Sequence, residues 1–359
     1  AQCLVGSEMC IRDRCNTMKN TYVIMLFVVI MSCTSKEVNK SHIVDISSLK
    51  GIELNFIEYP IEPMLGNPYE IEYIEPYLIM DNLVDDKVLL IYNVNNDSYV
   101  NTLSVGNGPD DILFPIEIQV KDQEVYIMER QSGKCRKYLL SALLHDSVSN
   151  FKETMLSRSD RMAKTNDAYI GSGIYDSGMI CIFNEESKVL KEVDIYPDYF
   201  DALKDSGRKY KLGQSRLCFN AKHNRLILAP LFLNSINIYS YQHNDLEKVD
   251  SLTIGKNLLK KRILENEGNV DIEGTDIYHC VDVCCSKDFF YVLYNGAKME
   301  KKNDNTLMYI LKLAMDGTLS KKYNVNSRIR NICVSEDDTK MYAILLNEDL
   351  DYVIAKTEL

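Results

Sequence analysis

The sequence contains no basic cluster. Across its 359 residues, 41 Lys and Arg face 52 Asp and Glu, for a formal net charge of −11. An acidic chain of this kind lacks the cationic footprint that nucleic acid or an anionic lipid surface requires, so no nucleic-acid partner is expected. It also lacks an apolar run of the roughly 20 residues that a membrane-spanning helix needs. Cysteine occurs 11 times, but at no repeated spacing, which argues against a disulfide framework. There is no G-x-S-x-G nucleophile elbow. The histidines are few: His42, His145, His223, His243 and His279. All but His279 fall in polar turns or in the polar N-terminal segment. Long helical periodicity is scarce, which excludes an all-helical fold.

What is present begins with an address. From Met18 the chain reads "MKNTYVIMLFVVIMSC": a short basic start at Lys19, an apolar stretch from Tyr22 to Met31, and Ser32 directly before Cys33. A basic region, a short apolar core and a small residue at the cut describe a secretory signal. "Ile30-Met31-Ser32-Cys33" resembles a lipobox, where bacterial lipoproteins are acylated on cysteine. Cys33 is therefore the expected lipidation site. The expected location is exported: an outer-membrane lipoprotein, facing the periplasm or the surface. Ahead of Met18, "LVGSEMCIRD" back-translates to a string like a sequencing adapter. Residues 1–17 are read as a non-native, adapter-derived leader and left out of fold reasoning. The expected division is then a leader (1–17), a signal peptide (18–32), a polar tether (33–50) and one folded domain (51–359).

Beyond the tether the signals are those of strands. "KVLLIYNV", "EVYIMER", "MICIFN", "RLILAPLFL", "FFYVLYN" and "MYAILLN" are short, β-branched or aromatic, and bounded by Asn, Asp, Gly or Lys. "YFDALKDSG" and "NLLKKRILENEG" are the best helical segments, read as excursions between strands. A weak unit recurs: an apolar stretch, a polar turn such as "VDDK" or "VKDQE", a strand, a second turn, and a closing strand. Strand units of about 40–50 residues indicate propeller blades. From Gly51 onward six units average about 51 residues and seven about 44. Long insertions in two units favour six over seven. A β-sandwich is the competing architecture, but sandwiches seldom repeat a turn-before-strand unit at similar spacing. The last unit appears one strand short, and "HIVDISSLKGIELNFIEY" (42–59) is expected to supply it and close the ring.

The segment "VGNGPDDI" (105–112) carries a resemblance. With the lipobox and the repeats, the chain resembles the TolB-like six-bladed β-propeller lipoproteins of Gram-negative bacteria. Gly106, Gly108 and Pro109 match that family's G-x-G-P-x-E blade connector, with Asp111 where Glu is usual. Positive φ at the glycines and a fixed exit at Pro109 are the expected reasons for the motif. The resemblance implies a secreted, lipid-anchored binding or scaffold protein.

Two further segments invite chemistry. In "YHCVDVCC" (278–285) a regular strand would place Cys280, Asp282 and Cys284 on one face, with His279 and Cys285 on the other. Ligands split between faces, with no second pair, suit core packing better than zinc. "GSGIYDSG" (171–178) lacks the lysine and following helix of a phosphate loop, and reads as a hairpin or a connector. No catalytic residue, metal ligand or cofactor is assigned. The expectation is a non-catalytic propeller, held at the membrane through lipid on Cys33, that docks an envelope protein, peptide or glycan. The alternative is a metal-dependent six-bladed hydrolase or lactonase, whose carboxylate and amide ligands would converge in the channel.

Overall fold

The computed structural model describes residues 41–301 and 307–359. Three short strands come first: β1 (Ser41–Val44), β2 (Ile52–Glu53) and β3 (Ile57–Glu58). Six antiparallel four-strand units follow in chain order, and each is one blade. Blade 1 is β4 (Ile71–Ile74), β5 (Tyr77–Val84), β6 (Lys87–Asn93) and β7 (Tyr99–Ser104). Blade 2 is β8 (Ile116–Lys121), β9 (Glu124–Glu129), β10 (Lys134–Leu139) and β11 (Lys152–Met155). Blade 3 is β12 (Ser159–Lys164), β13 (Tyr169–Gly173), β14 (Ile180–Phe183) and β15 (Val189–Val193). Blade 4 is β16 (Ser215–Asn220), β17 (Arg225–Pro230), β18 (Ser235–Gln242) and β19 (Asp245–Ile254). Blade 5 is β20 (Ile277–Cys285), β21 (Phe289–Lys298), β22 (Met308–Ala314) and β23 (Leu319–Val325). Blade 6 takes β24 (Arg328–Val334), β25 (Lys340–Leu346) and β26 (Tyr352–Glu358) from the C-terminus and its fourth strand from β3.

Contacts between successive first strands run β4–β8–β12–β16–β20–β24 and return to β4, which closes a six-bladed ring. Inner strands such as β5 and β6 are buried along five consecutive residues. Both faces of a blade pack on neighbours, so these strands read as continuous apolar runs rather than alternation. Six core clusters result, one at each junction between neighbouring blades. The polar turns are two-residue hairpins with left-handed backbone: Asp85 and Asp86 have φ of 51° and 62°, Asp122 and Gln123 50° and 63°. This geometry matches the twist of the flanking strands, and short polar side chains tolerate it.

The expected closure occurs at β3, where Ile57 and Glu58 lie antiparallel to Lys356 and Ala355. Tyr59 pins the join. Its N–H donates to the Ile354 carbonyl at 2.7 Å and its hydroxyl to the Val94 carbonyl at 3.0 Å. Its ring meets Tyr92 and Tyr342 edge-on. The N-terminal strap does more than close one blade. β1 adds in parallel to the outer edge of β19, and β2 in parallel to β23. The boundary of the ring therefore falls at Ser41 rather than Gly51. Within the stretch expected as tether, Ile46 is buried, and the Lys322 ammonium donates to the carbonyls of Ile46 and Leu49, each at 2.9 Å. Residues 1–40, including the expected leader, signal and Cys33, lie outside the described residues.

The two helical segments are excursions, as expected. A 3-10 turn (Asp198–Ala202) and α2 (Ser206–Gly213) join blades 3 and 4, and α3 (Leu258–Glu265) joins blades 4 and 5. Asp205 and Asn257 cap the two helices through their side chains. Together they bury Phe200, Leu203, Leu212, Leu259 and Ile263 against Phe232 and Leu233, forming a satellite core. A short helix, α1 (Leu140–Leu144), lies within blade 2 between β10 and β11. No helix among the described residues is long and apolar enough to cross a membrane.

Candidate functional site

The six first strands surround a cavity of about 520 Å³ on the ring axis. One polar residue per blade forms its floor: Glu70, Glu117, Arg161, Arg216, Asp282 and Asn331. Each sits on a first strand, or just before it in the case of Glu70. The Arg161 guanidinium pairs with Glu70 at 2.8 Å and with Glu117 at 3.0 Å. Arg216 pairs with the same Glu70 oxygen at 2.7 Å and approaches Asp282 at 4.0 Å. These side chains also stitch neighbouring blades through the backbone. Glu117 accepts from the Met162 N–H at 3.2 Å, Asp282 from Ile332 at 2.9 Å, and Asn331 from Ile71 at 3.0 Å. Arg216 Nε donates to the Val281 carbonyl at 3.0 Å.

The charges on this floor are not equivalent. Burial drives the Glu70 carboxyl toward its neutral form, but the guanidiniums of Arg216 and Arg161 overcome it and hold the pKa below the ordinary range. Glu117 is raised by burial despite Arg161, and Asp282 is pushed up to about 7 by burial. Two residues further along β4, nearer the mouth, stands Glu72. Burial, with the carboxyl groups of Asp282, Glu70 and Glu117 close by, lifts its pKa well above the usual value. The floor thus holds Glu70 ionised against two arginines, while burial favours the neutral forms of Glu117, Asp282 and the cavity-facing Glu72.

The mouth is built by the hairpins that follow each first strand and by the residues leading into them. It presents Lys121, Asp122, Asn166, Lys222, Lys287 and Glu336. Lys121 donates to Asn166 Oδ1 at 2.8 Å, Lys222 pairs with Asp288 at 2.5 Å, and Lys287 is exposed. The satellite core and Tyr278 lie toward the opposite end of blades 4 and 5.

The expected connector is present but works differently. Val105 and Ile112 bridge in parallel between blades 1 and 2, and Asp111 Oδ2 accepts from the Gly108 N–H at 2.8 Å. Neither Gly106 nor Gly108 has positive φ. A Cβ on Gly106 would lie 2.4 Å from the Asp111 carboxylate, and one on Gly108 2.7 Å. The glycines are there to admit that carboxylate, which corrects the expectation of left-handed backbone. Arg136 then anchors the turn by donating to the Asp111 carbonyl at 2.7 Å.

"YHCVDVCC" is the strand β20, but irregularities between Tyr278 and Cys280 and between Cys280 and Asp282 break its alternation. Cys280, Val283 and Cys285 pack toward blade 4, while Val281 and Cys284 pack toward blade 6. The expected sharing of one face by Cys280 and Cys284 does not occur. His279 is buried, within 3.1 Å of the Tyr294 hydroxyl, and burial lowers its pKa to about 4. Among the described residues no three His, Cys, Asp or Glu side chains are arranged to hold a metal ion. "GSGIYDSG" spans the β13–β14 hairpin, at the end of the ring away from the cavity mouth. Gly171 and Gly173 make room there for Ser159 and the Arg158 carbonyl. All seven described cysteines are free thiols, five of them buried.

Sequence reasoning missed the floor. Its signal was a polar residue set between apolar ones in a first strand, as in "PIEIQ" and "CVDVC".

Comparison with known proteins agrees with this architecture. Among curated proteins, none matches the sequence. Among solved structures, the chain is similar to a Bacteroides fragilis protein whose name marks it as a candidate exported protein. That pair has a TM-score of 0.58 and 14% identity, over 89% of this chain and 98% of the other. It is also similar to a DUF4221 family member from Bacteroides vulgatus, with a TM-score of 0.54 and 9% identity, over 86% and 99% of the two chains. The sequence profile for TolB-like 6-blade propeller-like proteins matches residues 56–337. With six blades, a strap-closed ring and that match over most of its length, the chain belongs to the TolB-like six-bladed propeller family.

Proposed function

We propose that this protein is an exported, lipid-anchored envelope propeller that binds a protein, peptide or glycan at its cavity mouth and catalyses no reaction. One observation carries the reading. The carboxylates best placed to hold a catalytic metal, Glu70 and Glu117, are already held by Arg161, and Glu70 also by Arg216. A divalent ion entering there must displace two nearly buried guanidiniums, each with a hydrogen-bonded seat. A floor closed by ion pairs under an open, mixed-charge mouth suits recognition, because the rigid ring positions exposed loops without moving. Anchorage through Cys33 would hold that mouth in the envelope without a spanning segment.

The test is capture in the native host. The chain expressed from Met18 is tagged, crosslinked in intact cells, and compared with a Lys222→Glu/Lys287→Glu mouth variant and with Arg158→Glu at the far end. A discrete partner retained by Arg158→Glu and lost by the mouth variant supports the proposal. A partner equally retained by all three places recognition elsewhere and overturns it. Cys33→Ser as a further control is expected to release the protein from the membrane fraction. A rise in melting temperature with millimolar calcium or manganese would favour the metal-dependent hydrolase instead.

A further inference from the structure

Two cysteines meet on the cavity wall. Cys218 lies on β16 of blade 4 and Cys285 ends β20 of blade 5, and both line the cavity. They pack into the same junction between those blades. The first strands run side by side here. The Arg216 guanidinium reaches the Val281 carbonyl, and Asn220 Nδ2 donates to the carbonyls of Ser286 at 2.9 Å and Lys287 at 3.1 Å. Cys285 Sγ approaches the carbonyl of Phe219, the residue after Cys218, at 3.9 Å. The neighbouring Cys285 thiol is the chief cause that lifts the Cys218 thiol well above its ordinary pKa, with burial adding to it. Cys218 is buried and Cys285 is partly open to the cavity. Cys284, next in sequence, packs toward blade 6 instead.

We infer that Cys218 and Cys285 are a disulfide-forming pair that clasps blade 4 to blade 5 across the cavity wall. The oxidant is a small or protein disulfide admitted through the mouth. The Cys285 thiolate attacks that disulfide, forming a mixed disulfide and releasing one thiolate of the oxidant. The Cys218 thiolate then attacks Cys285 Sγ, closing the Cys218–Cys285 bond and expelling the second thiolate. The protons lost by the two cysteines pass to the two leaving thiolates, so one disulfide is exchanged for another. Supply of such an oxidant in the cell rests on the export reading above.

The experiment has two arms. In the first, the reduced, full chain is incubated with oxidised glutathione, quenched in acid, denatured, alkylated with N-ethylmaleimide and mapped by peptide mass spectrometry. A linked peptide joining Cys218 to Cys285 is expected, and it should persist in Cys284→Ser. In Cys218→Ser the link should vanish, leaving Cys285 as a mixed disulfide with glutathione. Alkylation of both cysteines in the wild type, or a link from Cys285 to any other cysteine, overturns the proposal. In the second arm the same mapping is applied to cells quenched in acid. A linked pair there supports both readings. Linkage with glutathione but full alkylation in cells leaves the pair assignment supported and counts against export.

Discussion

At the scale of single residues, polar groups with one defined role decide the behaviour of the channel. Asp81 on β5 is 1% exposed. Its Oδ1 accepts from the N–H groups of Tyr69 and Glu70 at 2.6 and 2.7 Å, while its Oδ2 has no partner. Burial lifts its pKa to about 7, with Glu70 adding to the rise and Arg330 opposing it. A carboxyl with a raised folded pKa binds more protons folded than unfolded between the two values. Stability from this group is therefore present below about pH 4 and lost as pH rises toward 7, by at most about 4 kcal/mol. Asp81→Asn keeps the accepting oxygen and removes the ionisation. The variant should match the wild type in urea unfolding near pH 4 and exceed it at pH 8. Parallel pH profiles for the two proteins would contradict this account. None of this was legible in "LIMDNLVDDK", where Asp81 reads as one more acid ahead of a turn. Its burial follows only from the fold, which lays the backbone of Tyr69 and Glu70 across it.

At the scale of elements, the strands and their turns were legible and the reasons for some loops were not. "VDDK" and "VKDQE" announce two-residue hairpins because Asp tolerates left-handed backbone, and the structure has those conformations at Asp85, Asp86, Asp122 and Gln123. "VGNGPDDI" was legible as a connector, yet its glycines answer to a side chain three to five residues ahead rather than to φ. That difference can be measured. Gly106→Ala should evict the Asp111 carboxylate and cost roughly the hydrogen bond to Gly108, about 1–2 kcal/mol. In an Asp111→Ala background the same substitution should cost little, so the pair is non-additive by a similar amount. Additive losses in denaturant midpoint would return the explanation to backbone strain. The strap is a second element whose role exceeds its length. β3 contributes only two residues to blade 6, but Tyr59 beside it fills the gap between Tyr92 and Tyr342. Tyr59→Ala should cost about 3–5 kcal/mol and free the edge of β26 for aggregation. A melting temperature unchanged by Tyr59→Ala would mean that the strap does not close the ring.

At the scale of the whole molecule, ring closure creates what no single repeat contains. Glu70, Glu117, Arg161, Arg216, Asp282 and Asn331 each belong to a different blade. In its own repeat each reads as one more polar strand residue, which is why the floor was not readable from the sequence. Closure brings six first strands around one axis, and the polar residues become mutual counter-ions and donors to neighbouring backbones. Arg161 tests this most directly, since its guanidinium bridges carboxylates of blades 1 and 2 from blade 3. Arg161→Met retains much of the volume but leaves Glu117 unpaired and Glu70 with Arg216 alone. Breaking a nearly buried pair in this way costs about 3–5 kcal/mol. The loss should also depend on pH. In the wild type, Glu70 has a lowered pKa, so its stabilisation is present above the ordinary carboxylate value and fades as pH falls through the folded one. In Arg161→Met the two acids are pushed upward and regain neutrality on mild acidification. The gap between wild type and variant should be widest near pH 7 and shrink toward pH 4 in urea unfolding. A gap of equal size at both pH values would show that Arg161 serves by shape alone, and that the blades are held by their six apolar junctions without help from the charged floor.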